Sequence, residues 1–117
     1  MLDAACVLSL FADGQSLLSA LGRFDQLPDL ILSDLHARSF DGYQTLLALK
    51  QQPIYKAIPV VIWSALATEE EIRACYGAGA NAFIQKSLHF DLLKRQLETI
   101  CQYWLVLSDR PQNEVGS

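Results

Sequence analysis

Three polar side chains follow apolar runs of the sequence, and their types suit the handling of a phosphoryl group. Asp34 ends the run DLILSD, Ser64 lies near the end of IPVVIWSA, and Lys86 ends NAFIQK. A carboxylate can attack phosphorus and form an aspartyl phosphate. An ammonium neutralises charge on the phosphoryl oxygens, and a hydroxyl donates a hydrogen bond to one of them. A divalent cation such as Mg²⁺ normally completes such a site through carboxylates and water.

Each of these residues also has a plainer interpretation when it is taken alone. An aspartate after a strand commonly caps a helix or forms a turn. A lone serine there is a helix cap or a satisfied hydroxyl, and a lone lysine is a solvated surface residue. The shared position of all three at the ends of apolar runs favours a common site, provided that the runs are neighbouring strands.

The chain alternates short apolar runs with segments of helical periodicity, which predicts such strands. The predicted strands are residues 4–11, DLILSD, IPVVIWSA and NAFIQK. The predicted helices are DGQSLLSALGRF, GYQTLLALKQQ, TEEEIRACYGAGA and FDLLKRQLETICQYWLVL. Repeated strand–helix alternation is typical of a doubly wound α/β fold, in which helices cover both faces of a parallel sheet. Ligands bind beyond the carboxyl ends of such strands, where the three polar residues lie.

Composition narrows the classes of function. The 117 residues suit one domain, and a net charge of −4 without a lysine or arginine cluster argues against nucleic-acid or anionic-membrane partners. The three cysteines match neither a metal nor a disulfide pattern, which favours free thiols in a cytoplasmic protein. No apolar run reaches the ~20 residues of a membrane span. The glycine-rich motifs of nucleotide-binding enzymes are also missing from the sequence.

Several stretches together resemble the receiver domain of two-component response regulators, including its chemotaxis-regulator-like members. They are PDLILSDL, DGYQTLLALK, IPVVIWSA, AGANAFIQK and the closing amphipathic helix. The resemblance covers about Phe11 to Trp104, and the intervals of 30 residues from Asp34 to Ser64 and 22 from Ser64 to Lys86 are typical of that family. It implies a flavodoxin-like sheet, with Asp41-Gly42 at the turn into the family's third helix.

The resemblance also implies a role for each candidate residue. Asp34 would be the phospho-acceptor, Ser64 the switch hydroxyl that turns toward the phosphoryl group, and Lys86 the lysine that contacts it. Phe83 occupies the position of the aromatic switch, whose burial would follow phosphorylation. Asp34 and the backbone carbonyl of His36 would be metal ligands. These roles imply a two-state switch that a histidine kinase phosphorylates, rather than an enzyme that turns over substrate.

The sequence departs from the family at the metal site. Receivers open with a strand ending in an acidic pair that holds Mg²⁺, and 33 residues before Asp34 leave no room for it. Three alternatives stay open for this central strand. The start of the protein lies upstream, or residues 4–11 move in and bring Asp13 near Asp34 as a substitute acid, or a second chain supplies the strand by swapping. We therefore expect Mg²⁺ binding, and phosphorylation with it, to be weakened or lost.

Two further departures lie in loops. Arg38 and Ser87 stand where receivers usually carry prolines, so we expect a trans Lys86–Ser87 peptide instead of the family's common cis form. The apolar continuation of the last helix, residues 103–107, resembles single-domain receivers that work with phytochrome-type kinases. It suggests a homodimer contact, and packing against the domain's own sheet is the alternative.

We expect a receiver domain over residues 1–107, N-terminally incomplete relative to the family, and a disordered tail over 108–117. The leading hypothesis is a single-domain response regulator with an unidentified output partner. The alternative is a degenerate receiver that serves as a phosphorylation-independent interaction module.

Overall fold

Within the described residues, four helices surround a three-stranded parallel sheet. The computed structural model describes residues 13–36 and 41–103, so the predicted strand at 4–11 and the segment after residue 103 lie outside the described residues. In chain order the elements are α1 (Gly14–Leu21), β1 (Ile31–Asp34), α2 (Asp41–Gln51), β2 (Val60–Ser64), α3 (Glu69–Gly77), β3 (Ala82–Gln85) and α4 (Phe90–Gln102). Across these two ranges, none of the helices combines the length and hydrophobicity needed to cross a bilayer.

The three described strands run parallel in the order β1-β2-β3, so β2 lies in the middle. Asp34 on β1 is level with Trp63 on β2, and Trp63 is level with Ile84 on β3. The carboxyl ends of the strands therefore meet at one edge, as the strand–helix alternation predicts. The predicted α/β class and flavodoxin-like parallel sheet are confirmed for the part of the chain that is described.

The two faces of the sheet are covered differently. Alternate strand residues point to one face, which we call the three-helix face, where they form the main core with α1, α2 and α3. This core contains Leu21, Ile31, Leu35, Leu46, Leu49, Ile58, Val60, Ile62 and Cys75, all buried. The opposite face, which we call the α4 face, carries Leu32, Asp34, Val61, Trp63 and Ile84. Of these only Val61 is fully buried.

Local sequence explains where α3 begins and ends. Thr68 accepts a hydrogen bond from the Glu71 amide at 3.1 Å, and the Glu71 carboxylate accepts one from the Thr68 amide at 2.9 Å. This reciprocal capping box satisfies amides that have no partner within the helix. The helix stops before Gly79, whose φ of 109° is a conformation that favours glycine. The predicted helix with Thr68 as its cap is confirmed.

Candidate functional site

The structure brings Asp34 and Lys86 together at the carboxyl edge of the sheet. Lys86 Nζ lies 2.5 Å from Asp34 Oδ2. Because β2 separates their strands, the lysine side chain has to cross it. Its ammonium lies 5.2 Å from the centre of the Trp63 ring, close enough for a cation–π interaction. The two charged side chains are 25% and 32% exposed, so the pair is open to reagents from solvent.

The second oxygen of Asp34 is also engaged. The backbone amide of His36 donates to Asp34 Oδ1 at 3.0 Å, which closes a short turn immediately after β1. The carboxylate is therefore held by a charge on one oxygen and by a main-chain donor on the other. This arrangement fixes the orientation of the carboxylate.

Ser64 ends β2 with its hydroxyl turned elsewhere. The side chain is 3% exposed, and Ser64 Oγ donates to the Leu66 carbonyl at 2.8 Å and accepts from the Leu66 amide at 3.2 Å. Strand alternation places Ser64 with Ile62 on the three-helix face, whereas Asp34 belongs to the α4 face. Of the three residues expected to converge, two are therefore in contact, and the third is bonded to its own loop.

Phe83 is partly buried against the main core and borders a cavity beside Ser64. The cavity measures about 290 Å³ and is lined by Ser64, Ala65, Leu66, Ala67, Ile72, Tyr76, Phe83 and Gln85. The Tyr76 hydroxyl accepts a hydrogen bond from the Phe83 amide at 3.0 Å. This cavity thus lies between the loop that follows Ser64 and the side chain of Phe83.

Asp41 and Gly42 hold the end of β1 in place. A Cβ at Gly42 would lie 2.7 Å from the carbonyl oxygen of Asp34 and 2.7 Å from the Cα of Leu35, so only glycine permits this approach. Gly42 also donates its amide to the Leu35 carbonyl at 3.1 Å. Asp41 Oδ2 accepts from the Gly14 amide at 2.6 Å, which ties the start of α1 to the start of α2. The turn expected here thus positions the backbone that carries Asp34.

The described residues do not fit a complete divalent-metal site. The carboxylate of Asp13 caps α1 by accepting from the Ser16 amide at 2.9 Å, and Asp41 is used as a link between helices. Within residues 13–36 and 41–103 there is no group of three or more acidic, histidine or cysteine side chains that could hold a metal ion. Among the described carboxylates, Asp34 is the one that ends a strand at the carboxyl edge of the sheet. The metal roles of Asp13 and of the His36 carbonyl stay predictions.

Sequence reasoning missed a contact between the loop after Asp34 and α3. His36 Nε2 lies 3.5 Å from Glu71 Oε2, and the other oxygen of Glu71 belongs to the capping box. The loop after Asp34 is thereby linked to the helix that follows the loop of Ser64. The capping motif is readable in the sequence, but its histidine partner is 35 positions away and has no local signal.

The comparisons with known proteins agree with this geometry. The site belongs to a small α/β domain, in which an aspartate at the end of one strand pairs with a lysine that follows another strand at the carboxyl edge of the sheet. The family model of the response regulator receiver domain matches residues 1–98. The chain belongs to this family.

Two curated relatives are more than one-third identical over long stretches. The probable methanogenesis regulatory protein FilR2 of Methanothrix harundinacea is 34% identical over 97 residues, covering 80% of this chain and 63% of the relative. Response regulator Rcp1 of Synechocystis sp. is 35% identical over 78 residues, covering 67% and 53% respectively. The chain thus covers less than two thirds of the length of either relative.

Solved structures give the same class. The phosphorylated cyanobacterial phytochrome response regulator RcpA superimposes with a TM-score of 0.80 at 31% identity, covering 87% of this chain and 76% of that one. The Mn(2+)-bound form of Rcp1 gives a TM-score of 0.74 at 30% identity, covering 86% and 76%. The fold, the two-component family and the receiver class are therefore established together.

Proposed function

We propose that this chain is a phospho-accepting receiver in which Asp34 takes a phosphoryl group from a histidine kinase. The observation that carries the proposal is the 2.5 Å contact between Lys86 Nζ and Asp34 Oδ2 at the carboxyl edge of the sheet. An oxygen of Asp34 would form a bond to phosphorus while the bond from phosphorus to the kinase histidine nitrogen breaks, and the electron pair of that bond returns to the imidazole. Lys86 would then balance the charge on the transferred oxygens.

The switch requires two local rearrangements. Ser64 has to exchange its hydrogen bonds with Leu66 for one to a phosphoryl oxygen. That exchange would move the loop that lines the cavity beside Phe83, and the aromatic ring would turn into this cavity. A local change of charge would then alter the surface formed by α3, β3 and α4, where an output partner would bind.

The relatives suggest a class of kinase. RcpA is named as a cyanobacterial phytochrome response regulator, so we propose a phytochrome-type histidine kinase as the donor for this chain. Rcp1 has been solved with Mn²⁺ bound. For this chain we propose weaker divalent-metal binding, because the described residues provide one suitable carboxylate. The homodimer contact through residues 103–107 stays a prediction, since most of that segment lies outside the described residues.

Mass spectrometry after incubation with phosphoramidate or acetyl phosphate tests the proposal. We expect an adduct with the mass of one phosphoryl group, formed slowly and only modestly faster when Mg²⁺ is added. Asp34→Asn should abolish the adduct, while Asp91→Asn, an exposed position on α4, should leave it unchanged. An adduct that persists in Asp34→Asn would exclude Asp34 as the acceptor.

A second function is favoured by the same site. Both oxygens of Asp34 already have partners, and the described carboxylates do not complete a metal site. These features suit a degenerate receiver that binds its partner without phosphorylation. In that case wild type forms no adduct even with the small donors, and Asp34→Asn binds the cognate kinase as tightly as wild type does.

A further inference from the structure

Gln96 on α4 hydrogen bonds to both residues that flank Lys86. Its Nε2 donates to the Gln85 carbonyl at 2.7 Å, and its Oε1 accepts from the Ser87 amide at 2.8 Å. One end of the amide faces an acceptor and the other faces a donor, so a single orientation of the side chain satisfies both contacts. The half-buried Gln96 side chain thus satisfies two main-chain polar groups at the end of β3.

The opposite side of this segment is held by β2. The Lys86 amide donates to the Ser64 carbonyl at 2.8 Å. Residues 85–87 are therefore fixed by a strand on one side and by a helix side chain on the other, and the lysine side chain leaves the backbone between these anchors. Its ammonium has to cross the ring of Trp63 before it reaches Asp34, so a small rotation at its base displaces it widely.

Serine at position 87 creates the need for such an anchor. A proline here would restrict the backbone and would carry no amide hydrogen. The trans Lys86–Ser87 peptide instead presents an N–H group that requires an acceptor when it is partly buried. Gln96 provides that acceptor, and its second hydrogen bond to Gln85 extends the restraint across the lysine.

We propose that Gln96 is a positioning residue for Lys86, and that its amide restrains the phosphoryl-contacting lysine where the backbone lacks a proline. The proposal rests on the proposed function for its effect on phosphorylation. Its structural part, the placement of the lysine over Trp63, can be measured without any phosphorylation.

Trp63 provides the probe, because the sequence has two tryptophans and Trp104→Phe leaves Trp63 alone. In the Trp104→Phe background, the Lys86→Met variant gives the reference fluorescence emission of the Trp63 indole without an ammonium over the ring. We expect Gln96→Ala, and Gln96→Met as a variant of similar volume, to shift the emission of the folded protein most of the way toward that reference. Gln102→Ala, exposed on the same helix, is the control and should not shift it. Unchanged emission in both Gln96 variants would overturn the proposal.

The rate of adduct formation with phosphoramidate is the second measurement. We expect Gln96→Ala to slow it roughly tenfold, as small misplacements of a charge-stabilising group do, and Gln102→Ala to leave it unchanged. An emission shift with an unchanged rate would show that the lysine moves without serving phosphorylation. If wild type forms no adduct, the proposed function fails, while the emission of Trp63 still decides whether Gln96 positions Lys86.

Discussion

The two faces of the sheet are formed by alternate residues of the same three strands, and they are buried to different extents. On the three-helix face, Ile31, Val60 and Ile62 are at most 4% exposed and pack into the main core. On the α4 face, Leu32, Trp63 and Ile84 are half-buried. A groove of about 370 Å³ lies between β3 and α4, lined by Ile84, Ser87, Leu92, Arg95, Gln96, Thr99 and Ile100.

The two faces contribute differently to the fold and to the charged pair at its edge. The closed face provides burial, which is the main favourable contribution to folding. The looser face leaves space for the Lys86 side chain to cross Trp63 and reach Asp34. The Asp34–Lys86 pair lies on this looser face, whereas Ser64, which would exchange its hydrogen bonds in the proposed switch, lies on the closed face and is 3% exposed.

Truncation of matched isoleucines tests the comparison most strongly. Ile62→Ala removes a side chain that is 0% exposed in the closed core, and we expect the free energy of unfolding to fall by about 2–5 kcal/mol. Ile84→Ala borders the open groove, and we expect a loss of about 1 kcal/mol because part of the side chain already contacts water. Urea denaturation measures both values. Equal losses would contradict the distinction between the faces.

A glycine pair tests the junction of α2 with the end of β1. Gly42→Ala would put a Cβ 2.7 Å from the backbone of Asp34 and Leu35, and we expect a loss of about 1–3 kcal/mol through overpacking. Gly77→Ala is the control, because a Cβ there meets nothing within 4 Å, so it should leave the stability unchanged or raise it by up to about 1 kcal/mol. Thermal unfolding with calorimetry gives both. Unchanged stability of the Gly42→Ala variant would show that the backbone at this junction can shift at little cost in free energy.

Chemical labelling of two cysteines measures how readily the main core and the region around α4 open to solvent. Cys75 lies in the main core at 0% exposure and Cys101 lies on α4 at 9%. Burial, and then the nearby charge of Glu71, raise the pKa of the Cys75 thiol, which reduces the reactive thiolate. In a Cys6→Ser background we expect iodoacetamide to label Cys101 about tenfold faster than Cys75 in the native protein.

The same pKa shift has a defined sign for stability. Because folding raises the thiol pKa, the contribution of the Cys75 thiol to the free energy of unfolding is complete below the ordinary thiol pKa. That contribution is lost as the pH rises past the thiol pKa of the folded state.

Faster labelling of Cys75 than of Cys101 at neutral pH would contradict the expectation that the region of Cys101 on α4 opens more readily than the main core.

The smallest expected effect is the coupling between Asp34 and Lys86. Both side chains are partly exposed, so we expect the pair to stabilise the fold by about 0.5–1 kcal/mol, less at high salt. A double-mutant cycle with Asp34→Asn and Lys86→Met measures this coupling. A coupling of several kcal/mol would mean that the α4 face contributes to stability as the closed face does.

Much of the architecture could be predicted from local patterns. The apolar runs around Ile31 and Val60 indicated strands, Thr68 indicated the start of α3, and strand–helix alternation indicated a parallel sheet. The position of Asp34 and Lys86 at strand ends predicted their meeting, because parallel strands bring their carboxyl ends to one edge. The orientation of the Ser64 hydroxyl could not be predicted, since a buried hydroxyl takes whichever acceptor lies nearest, and that is the Leu66 carbonyl.

The sequence by itself determined the described strands and helices, their parallel arrangement and the three polar groups at the carboxyl edge, because each depends on spacing within one segment or on topology. The tertiary structure decided the rest. It decided which face is closed, that Lys86 crosses Trp63, and that Gln96 holds Gln85 and Ser87. These contacts join different segments whose relative placement depends on how the whole core packs, and no local pattern encodes such a distance.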